Sequence, residues 1–294
     1  MENHYFAAVV FVAAALIQPA IGNAADAQPG KHEVADWWQK SSVATTPIPE
    51  PVFFHVDGSL SYMNAQGNTD GSTFDAGAAF DVRKWRFTNY FSAQFSKRDI
   101  TYGFGGGNVN YTENTVRDQL EYDLTKRAML VGGIEDYENT LIFMDKRFTV
   151  FGGAGLAAVE RENQRLLFTG GLGHVDFRFD RDAMLRVNPT SVADLATTTP
   201  TSGGALIAQT WHWRVSPRLS FDQTGTYMTY FNHNLGHRWD IGANFNVPLT
   251  KVFSCVFGYQ IKDEDNAYVR ALGVKLQDRT LTMGFKVSWQ GELK

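Results

Sequence analysis

This chain has little cysteine, a small net charge and few long apolar runs. It has 294 residues and one cysteine, Cys255, which excludes an intramolecular disulfide framework and a cysteine-based zinc site. The formal net charge is −4 and no basic run stands out, which excludes a nucleic-acid-binding surface. After Pro51 no segment approaches the run of about 18 apolar residues that a transmembrane helix needs.

Glycine and aromatic residues are abundant instead. The chain holds 27 glycines, 14% aromatic residues and only 9 prolines. Aromatic side chains favour strands, and glycine is unfavourable inside helices. The composition therefore predicts extended, closely packed strands.

The first residues are typical of an export signal. The apolar run 6–17 is too short to span a bilayer and has the length of a signal-peptide core. We expect residues 1–27 to be a cleaved signal peptide and residues 28–51, which end in TTPIPEP, to be a periplasmic linker. A buried core helix is the alternative interpretation of the apolar run.

From residue 52 onward apolar and polar residues alternate with a period of two. In the last such segment Leu281, Met283 and Phe285 share one face, while Thr282 and Gly284 share the other. Segments of ten or more residues are long for a soluble sandwich and suit a tilted membrane strand. About twelve are predicted, near 52–64, 72–83, 84–97, 111–124, 127–138, 144–158, 163–178, 204–216, 217–231, 236–248, 251–264 and 275–289.

Short connections alternate with long ones along the chain. The short set is 81–84, 124–127, 160–163, 216–218 and 248–251; the long set includes 103–110, 180–204 and 263–279. Outer-membrane barrels have an even strand number, short periplasmic turns and long outer loops. We predict an all-β fold, a single antiparallel up-and-down transmembrane β-barrel of about 12 strands over residues 52–289. A C-terminal tail, 290–294, would follow it, and the barrel would lie in a Gram-negative outer membrane.

The two faces of these strands predict two environments. Phe, Leu, Val and Ile make one face apolar, and Cys255 belongs to it as a small hydrophobic residue. Five tryptophans near strand ends are expected at the membrane–water interfaces, although they would also suit the core of a soluble sandwich: Trp85, Trp211, Trp213, Trp239 and Trp289.

The opposite face collects charges of both signs. A dry core would penalise them, so we expect a wet or ion-paired lumen. The predicted lumen-facing residues are Asp57, Asp75, Arg117, Glu121, Arg214, Asp222, Asp240, Lys262 and Lys286. Asp81, Arg83 and Asp123 lie beside predicted turns, where we expect them to face water.

Three motifs in order resemble a known family. They are the turn Gly67, Asn68, Thr69 and Asp70 between the first two strands, the glycine-rich segment 151–156, and the closing strand 278–286. Over residues 53–289 the chain resembles the DUF481 family, which includes YdiY-like salt-induced outer-membrane proteins. The resemblance implies an outer-membrane β-barrel of undefined biochemical activity, and it supplies no catalytic residues.

No metal or cofactor site is predicted. The segment GFGGGN at 103–108 lacks the Lys-Ser/Thr pair and the helix of a phosphate-binding loop, so we interpret it as an outer loop. His233 and His237 have a metal-ligand spacing, with Asp240 nearby, but they lie in a predicted hairpin tip. A polar loop is our interpretation.

No catalytic site is predicted either. His174 with Asp176, or His212 with Asp222, could supply the base and orienting group of an outer-membrane lipid hydrolase. No serine in a recognisable motif accompanies either pair, so a non-enzymatic barrel is the main hypothesis.

Two non-enzymatic functions stay open. The barrel could pass small solutes or ions, with segment 180–204 folded in as a constriction. It could instead be a closed envelope protein with a structural or stress-adaptive role. A soluble secreted ligand binder is a third hypothesis. The expected partners are outer-membrane lipids, the barrel-assembly machinery and, for a channel, small solutes or ions.

Overall fold

The computed structural model describes most of the chain beyond residue 51. The described ranges are 52–65, 69–102, 108–125, 127–161, 163–195, 197–273 and 276–293. The predicted signal peptide and linker lie outside them, as do Gly67 and Asn68 of the predicted family turn. Thr69 and Asp70 of that turn belong to the second strand.

Twelve strands form one closed barrel. They are β1 (Val52–Ala65), β2 (Thr69–Lys84), β3 (Phe87–Tyr102), β4 (Asn108–Asp123), β5 (Ala128–Asn139), β6 (Met144–Arg161), β7 (Gln164–Phe179), β8 (Thr201–Ser216), β9 (Leu219–Tyr230), β10 (His237–Pro248), β11 (Phe253–Asp265) and β12 (Leu276–Leu293). Each strand pairs with its neighbours in chain order, and β12 pairs with β1. The predicted antiparallel, up-and-down barrel of twelve strands is confirmed.

The closing strand is longer than predicted. β12 pairs antiparallel with β1 from Gly284 to Leu293, so residues 290–293 belong to the barrel and not to a tail. A Cβ atom on Gly291 would lie 2.5 Å from Cζ of Phe54, so only glycine lets that ring pack across the seam. The same ring meets Trp289 edge-on, with centroids 5.5 Å apart. The residues after Trp289 are mostly polar, so the alternation of apolar and polar residues does not continue there and the sequence did not predict this part of the strand.

The outer surface of the barrel is apolar. On β12 the exposed fractions of Leu281, Met283 and Phe285 are 65%, 60% and 50%. Further exposed apolar or aromatic residues on the strands are Leu60, Tyr62, Phe74, Leu120, Leu130, Ile134, Val150, Leu156, Phe168, Leu172, Ile207, Tyr227, Ile241, Phe245 and Phe257. A surface of this kind, continuous around the molecule, suits an apolar surrounding medium.

The two ends of the barrel differ in their connections. At one end, here the turn end, the connections are 85–86, 124–127, 162–163, 217–218 and 249–252. The other, here the loop end, carries the longer segments 180–200 and 266–275. These hold three short helices, α1 (Arg181–Val187), α2 (Pro189–Ala193) and α3 (Ala267–Ala271). None of the helices in the described part of the chain is long and apolar enough to cross a membrane.

Side-chain caps start these loop helices. Asp180 accepts a hydrogen bond from the Ala183 amide at 3.0 Å, and Asn266 accepts one from the Val269 amide at 2.8 Å. Such caps satisfy amides that have no partner in the first helical turn. They hold the helices in an orientation that buries Met184 and Val269.

An apolar cluster, here called the plug, fills the barrel at the loop end. Met184, Val192 and Leu235 are each 0% exposed. They pack against inward side chains of β5–β9 and against α3; the other members are Val131, Tyr137, Ile142, Met144, Phe151, Val175, Phe177, Phe179, Leu206, Met228, Tyr230, Tyr268, Val269, Ala271 and Leu272. The expected wet or ion-paired lumen does not extend to this part of the barrel, because β5–β7 carry apolar residues on both faces.

The seam between β1 and β12 yields a stability prediction. Gly291→Val should force Phe54 out of place and lower the free energy of unfolding by about 1–3 kcal/mol, the usual cost of overpacking. Gly58→Val is the control, because a Cβ at Gly58 meets nothing within 4 Å. Urea unfolding of the detergent-folded protein measures both, and equal losses in the two variants would contradict the packing account.

Candidate functional site in the barrel lumen

A polar cavity of about 460 Å³ lies inside the barrel. Strands β1–β4 form one wall and β9–β12 form the other. Both walls carry the polar side chains that point inward from alternating strands, together with small residues such as Gly77 and Ala79. Five predicted lumen-facing residues line it, namely Asp57, Asp75, Asp222, Lys262 and Lys286.

A buried histidine belongs to a chain of four side chains at the turn end of this cavity. His55 is 2% exposed, and its Nδ1 lies 3.0 Å from Oδ2 of Asp81. Its Nε2 lies 3.1 Å from Oδ1 of Asp57, whose Oδ2 lies 2.6 Å from Nζ of Lys286. The chain of contacts therefore crosses β2, β1 and β12. The sequence analysis missed His55, although it shares the inward face of β1 with Asp57.

Residues expected to face water beside the turns are in fact buried. Arg83 and Asp123 are 5% and 3% exposed, and Nη2 of Arg83 lies 2.8 Å from Oδ2 of Asp123. Arg83 on β2 reaches Asp123 on β4 across the intervening β3, so the pair lies over the turn end of the lumen. Burial is tolerated because each charge has an opposite charge in contact.

Two other predicted lumen residues lie outside the cavity wall. Arg117 donates to Oε1 of Gln119 at 2.6 Å, and its guanidinium lies 5.2 Å from the centroid of the Phe151 ring. Gln119 in turn donates to Oε1 of Glu121 at 2.8 Å. These side chains pack towards the apolar interior of β5–β7, which they help to fill.

Arg147 is the most deeply buried charge of the loop end. It is 1% exposed, and its two terminal nitrogens lie 3.1 Å from Glu264 and 3.2 Å from Glu135. Its guanidinium also lies 4.1 Å from the centroid of the Tyr137 ring. A buried guanidinium needs such partners, because desolvation without them is costly. The sequence analysis missed it, although its alternation with outward Val150 is a signal that could have found it.

A third carboxylate, Glu113, links this network to the cavity. Glu113 is 5% exposed and lies 3.3 Å from Nζ of Lys262 and 3.7 Å from Nη2 of Arg98. The Tyr137 hydroxyl donates to it at 2.5 Å. Glu113 also lines the cavity, so it connects the cavity wall to Tyr137 of the plug.

The remaining predicted lumen residues belong to β8, β9 and β10. Asp240 accepts hydrogen bonds from Nε2 of Gln260 and lies opposite Lys262 in the strand register. Asp222 is hydrogen-bonded to both His212 and Asn246. Arg214 lies opposite Ser220 near the turn end of β8.

The other histidine pairs lie apart from the lumen. Nε2 of His174 is 3.2 Å from Oδ1 of Asp176, and both side chains are more than half exposed, at 60% and 51%. Nε2 of His237 lies 4.0 Å from Asp263, while His233 is exposed at the loop end. Within the described residues no group of three or more potential metal ligands occurs.

The predicted interface tryptophans occupy strand ends. Trp85, Trp211, Trp213 and Trp289 lie towards the turn end, whereas Trp239 lies near the loop end at the start of β10. The rings of Trp211 and Trp213 stack with centroids 5.8 Å apart.

The Arg147 network yields a second stability prediction. Arg147→Leu should leave the buried Glu264 without its cation and lower the free energy of unfolding by about 3–5 kcal/mol. Lys146→Leu is the control, since Lys146 is 44% exposed in its 3.5 Å pair with Asp136. We expect at most about 1 kcal/mol there. Urea unfolding in detergent compares them, and a small loss for Arg147→Leu would contradict the role of the network.

Comparisons with solved structures find matches at low identity and low TM-score. The translocator domain of autotransporter NalP from Neisseria meningitidis has a TM-score of 0.41 at 11% identity, covering 81% of this chain and 88% of the other. An outer membrane channel from Pseudomonas putida F1 has a TM-score of 0.44 at 9% identity, covering 85% and 98%. The NanC porin has a TM-score of 0.41 at 9% identity, covering 82% and 99%.

Sequence comparisons identify a family but no curated relative. No curated protein matches this chain significantly. The model of the family described as "Protein of unknown function, DUF481" matches residues 58–289, most of the barrel. The resemblance seen in the sequence motifs is thus confirmed, and the chain belongs to the DUF481 family.

Proposed function

We propose that this protein is an integral β-barrel of a Gram-negative outer membrane, closed in the conformation described here. The apolar exterior supports membrane insertion, because large side chains such as Leu281 and Leu172 are 65% and 64% exposed on it. Barrel closure also supports it, since strand partners on both sides satisfy the backbone groups that a bilayer cannot. Short turns would then lie in the periplasm and the loop end outside the cell.

One observation is the main support for the closed state. Met184, Val192 and Leu235 come from segments that connect strands, yet all three are 0% exposed inside the loop end. An open pore would leave side chains at its mouth in contact with water. A closed barrel with a structural or stress-adaptive role in the envelope is therefore the function that the geometry supports best.

Gated permeation is a second candidate, favoured by the polar groups that line the lumen cavity. Among the described residues, two side-chain hydrogen bonds join segment 180–200 to α3. Nδ2 of Asn188 donates to the Ala271 carbonyl at 2.9 Å, and the Tyr268 hydroxyl donates to the Thr197 carbonyl at 2.8 Å. Burial raises the pKa of the Tyr268 phenol above its usual value, so it stays a neutral donor. Most of the plug is held by apolar packing that a conformational change could undo.

The histidine pairs support a non-catalytic role. His174 and Asp176 lie on an exposed outer face, and His212 shares Asp222 with Asn246 inside the barrel. We propose that these contacts are structural, and that the partners of the chain are lipids and the barrel-assembly machinery.

Membrane insertion is the first test. The protein should refold in detergent or liposomes, show a heat-shifted gel band, and have tryptophan fluorescence quenched by brominated lipids, because Trp211 and Trp213 would lie at the interface. Folding to a monomeric, unquenched state in aqueous buffer alone would contradict the membrane proposal.

Planar-bilayer conductance tests the closed state. The unmodified protein should be silent, whereas Met184→Asp should produce discrete current steps because a charge inside the plug expels the segment. Val187→Asp is the matched control on the same helix, since Val187 is 55% exposed. Steady large currents from the unmodified protein would refute closure, and silence of Met184→Asp in the folded state would refute gating by the plug.

A further inference from the structure

We propose that the lumen cavity is a binding site for a neutral, hydroxyl-rich solute of about monosaccharide size. This inference rests on the proposed closed barrel, in which the cavity is a compartment and not a stretch of an open channel. Its volume of about 460 Å³ falls in the range of roughly 300–1,000 Å³ that small-molecule sites occupy.

Uncommitted polar groups line both walls of the cavity. Ser59, Ser92 and Gln94 lie on the β1–β4 wall, and the opposite wall contributes its own set, Thr224, Asn244 and Thr282. Within the described part of the chain, none of these side chains makes a hydrogen bond to another protein group. Hydroxyl and amide groups each donate and accept, so together they suit a ligand that presents both kinds of group in several directions.

The charges around the cavity are already engaged with each other. Lys286 lies 2.6 Å from Asp57, and Lys262 lies 3.3 Å from Glu113. Asp75 accepts hydroxyl hydrogen bonds from Ser61 at 3.0 Å and from Ser96 at 2.6 Å. A charged ligand would have to break these contacts, whereas a neutral one can use the free hydroxyl and amide groups.

The balance of charged side chains that line the cavity adds to this selectivity. The charged side chains that line the cavity are the carboxylates of Asp57, Asp75, Glu113 and Asp222 and the cations of Arg98, Lys262 and Lys286. Carboxylates are in the majority, which disfavours an anionic sugar most. An apolar ligand is excluded because it would leave the exposed hydroxyl and amide groups without partners.

Three monosaccharides that differ in charge test the proposal. Glucose, glucuronate and glucosamine are titrated into the detergent-folded full chain, with calorimetry and saturation-transfer NMR as readouts. Glucose should bind saturably, and about tenfold more tightly than either charged sugar.

A matched pair of glycine variants locates the site. Gly242 lines the cavity, and its Cβ would meet only Oγ1 of Thr224 at 3.3 Å, so Gly242→Met should fill the space. Gly225→Met is the control, because Gly225 pairs with outward-facing Ile241. We expect glucose affinity to fall about tenfold or more for the first variant and to stay unchanged for the second.

The outcomes separate this proposal from the proposed function. Absence of saturable glucose binding, preference for a charged sugar, or equal affinity of Gly242→Met and the unmodified protein would each overturn the binding site. A heat-shifted, silent barrel would still stand as a closed envelope protein in those cases. Failure to insert into a membrane would instead overturn the closed barrel on which the binding site rests.

Discussion

Hydrogen bonding between β1 and β12 closes the sheet, and the arrangement of every other group follows from that closure. Once the register from Val52–Leu293 to Ser61–Gly284 is formed, each strand has a partner on both sides. Alternate side chains must then point either outward or into one shared interior. Large apolar residues occupy the outer set, so charged residues of the strands are concentrated in the lumen.

The lumen accommodates these charges by pairing them in layers. Arg83 with Asp123 and His55 with two aspartates lie towards the turn end, while Arg147 with Glu135 and Glu264 lies towards the loop end. The pairs remove the cost of burial only while both members are present, because a single buried charge is strongly unfavourable. Between the two layers the walls carry hydroxyl and amide groups, and there the cavity stays open.

This layering connects structure to function. A plug of apolar residues closes the loop end without any covalent constraint, so the closed state depends on packing and can be tested by placing one charge within it. The lumen cavity contains charges that are paired with other protein groups, so the neutral hydroxyl and amide groups form the surface that a solute meets. The matched family is described as one of unknown function, so the family match names no ligand. The hydrogen-bonding groups of the cavity are therefore the basis for inferring one.

The twelve strands, their order and the lumen side of residues such as Asp57 and Lys286 were predictable from sequence, because a strand's period of two is local and appears directly in the residue pattern. Period two identifies the face of a residue and nothing about its depth or its partner. Arg147 and Glu264 are 117 residues apart, and they meet only because the closed sheet brings β6 and β11 to face each other across the lumen. The burial of Met184 and Val192 likewise depends on where the connecting segment packs. Tertiary structure alone decided the plug, the ionic layers and the cavity, because each is made by contacts between residues far apart in the chain.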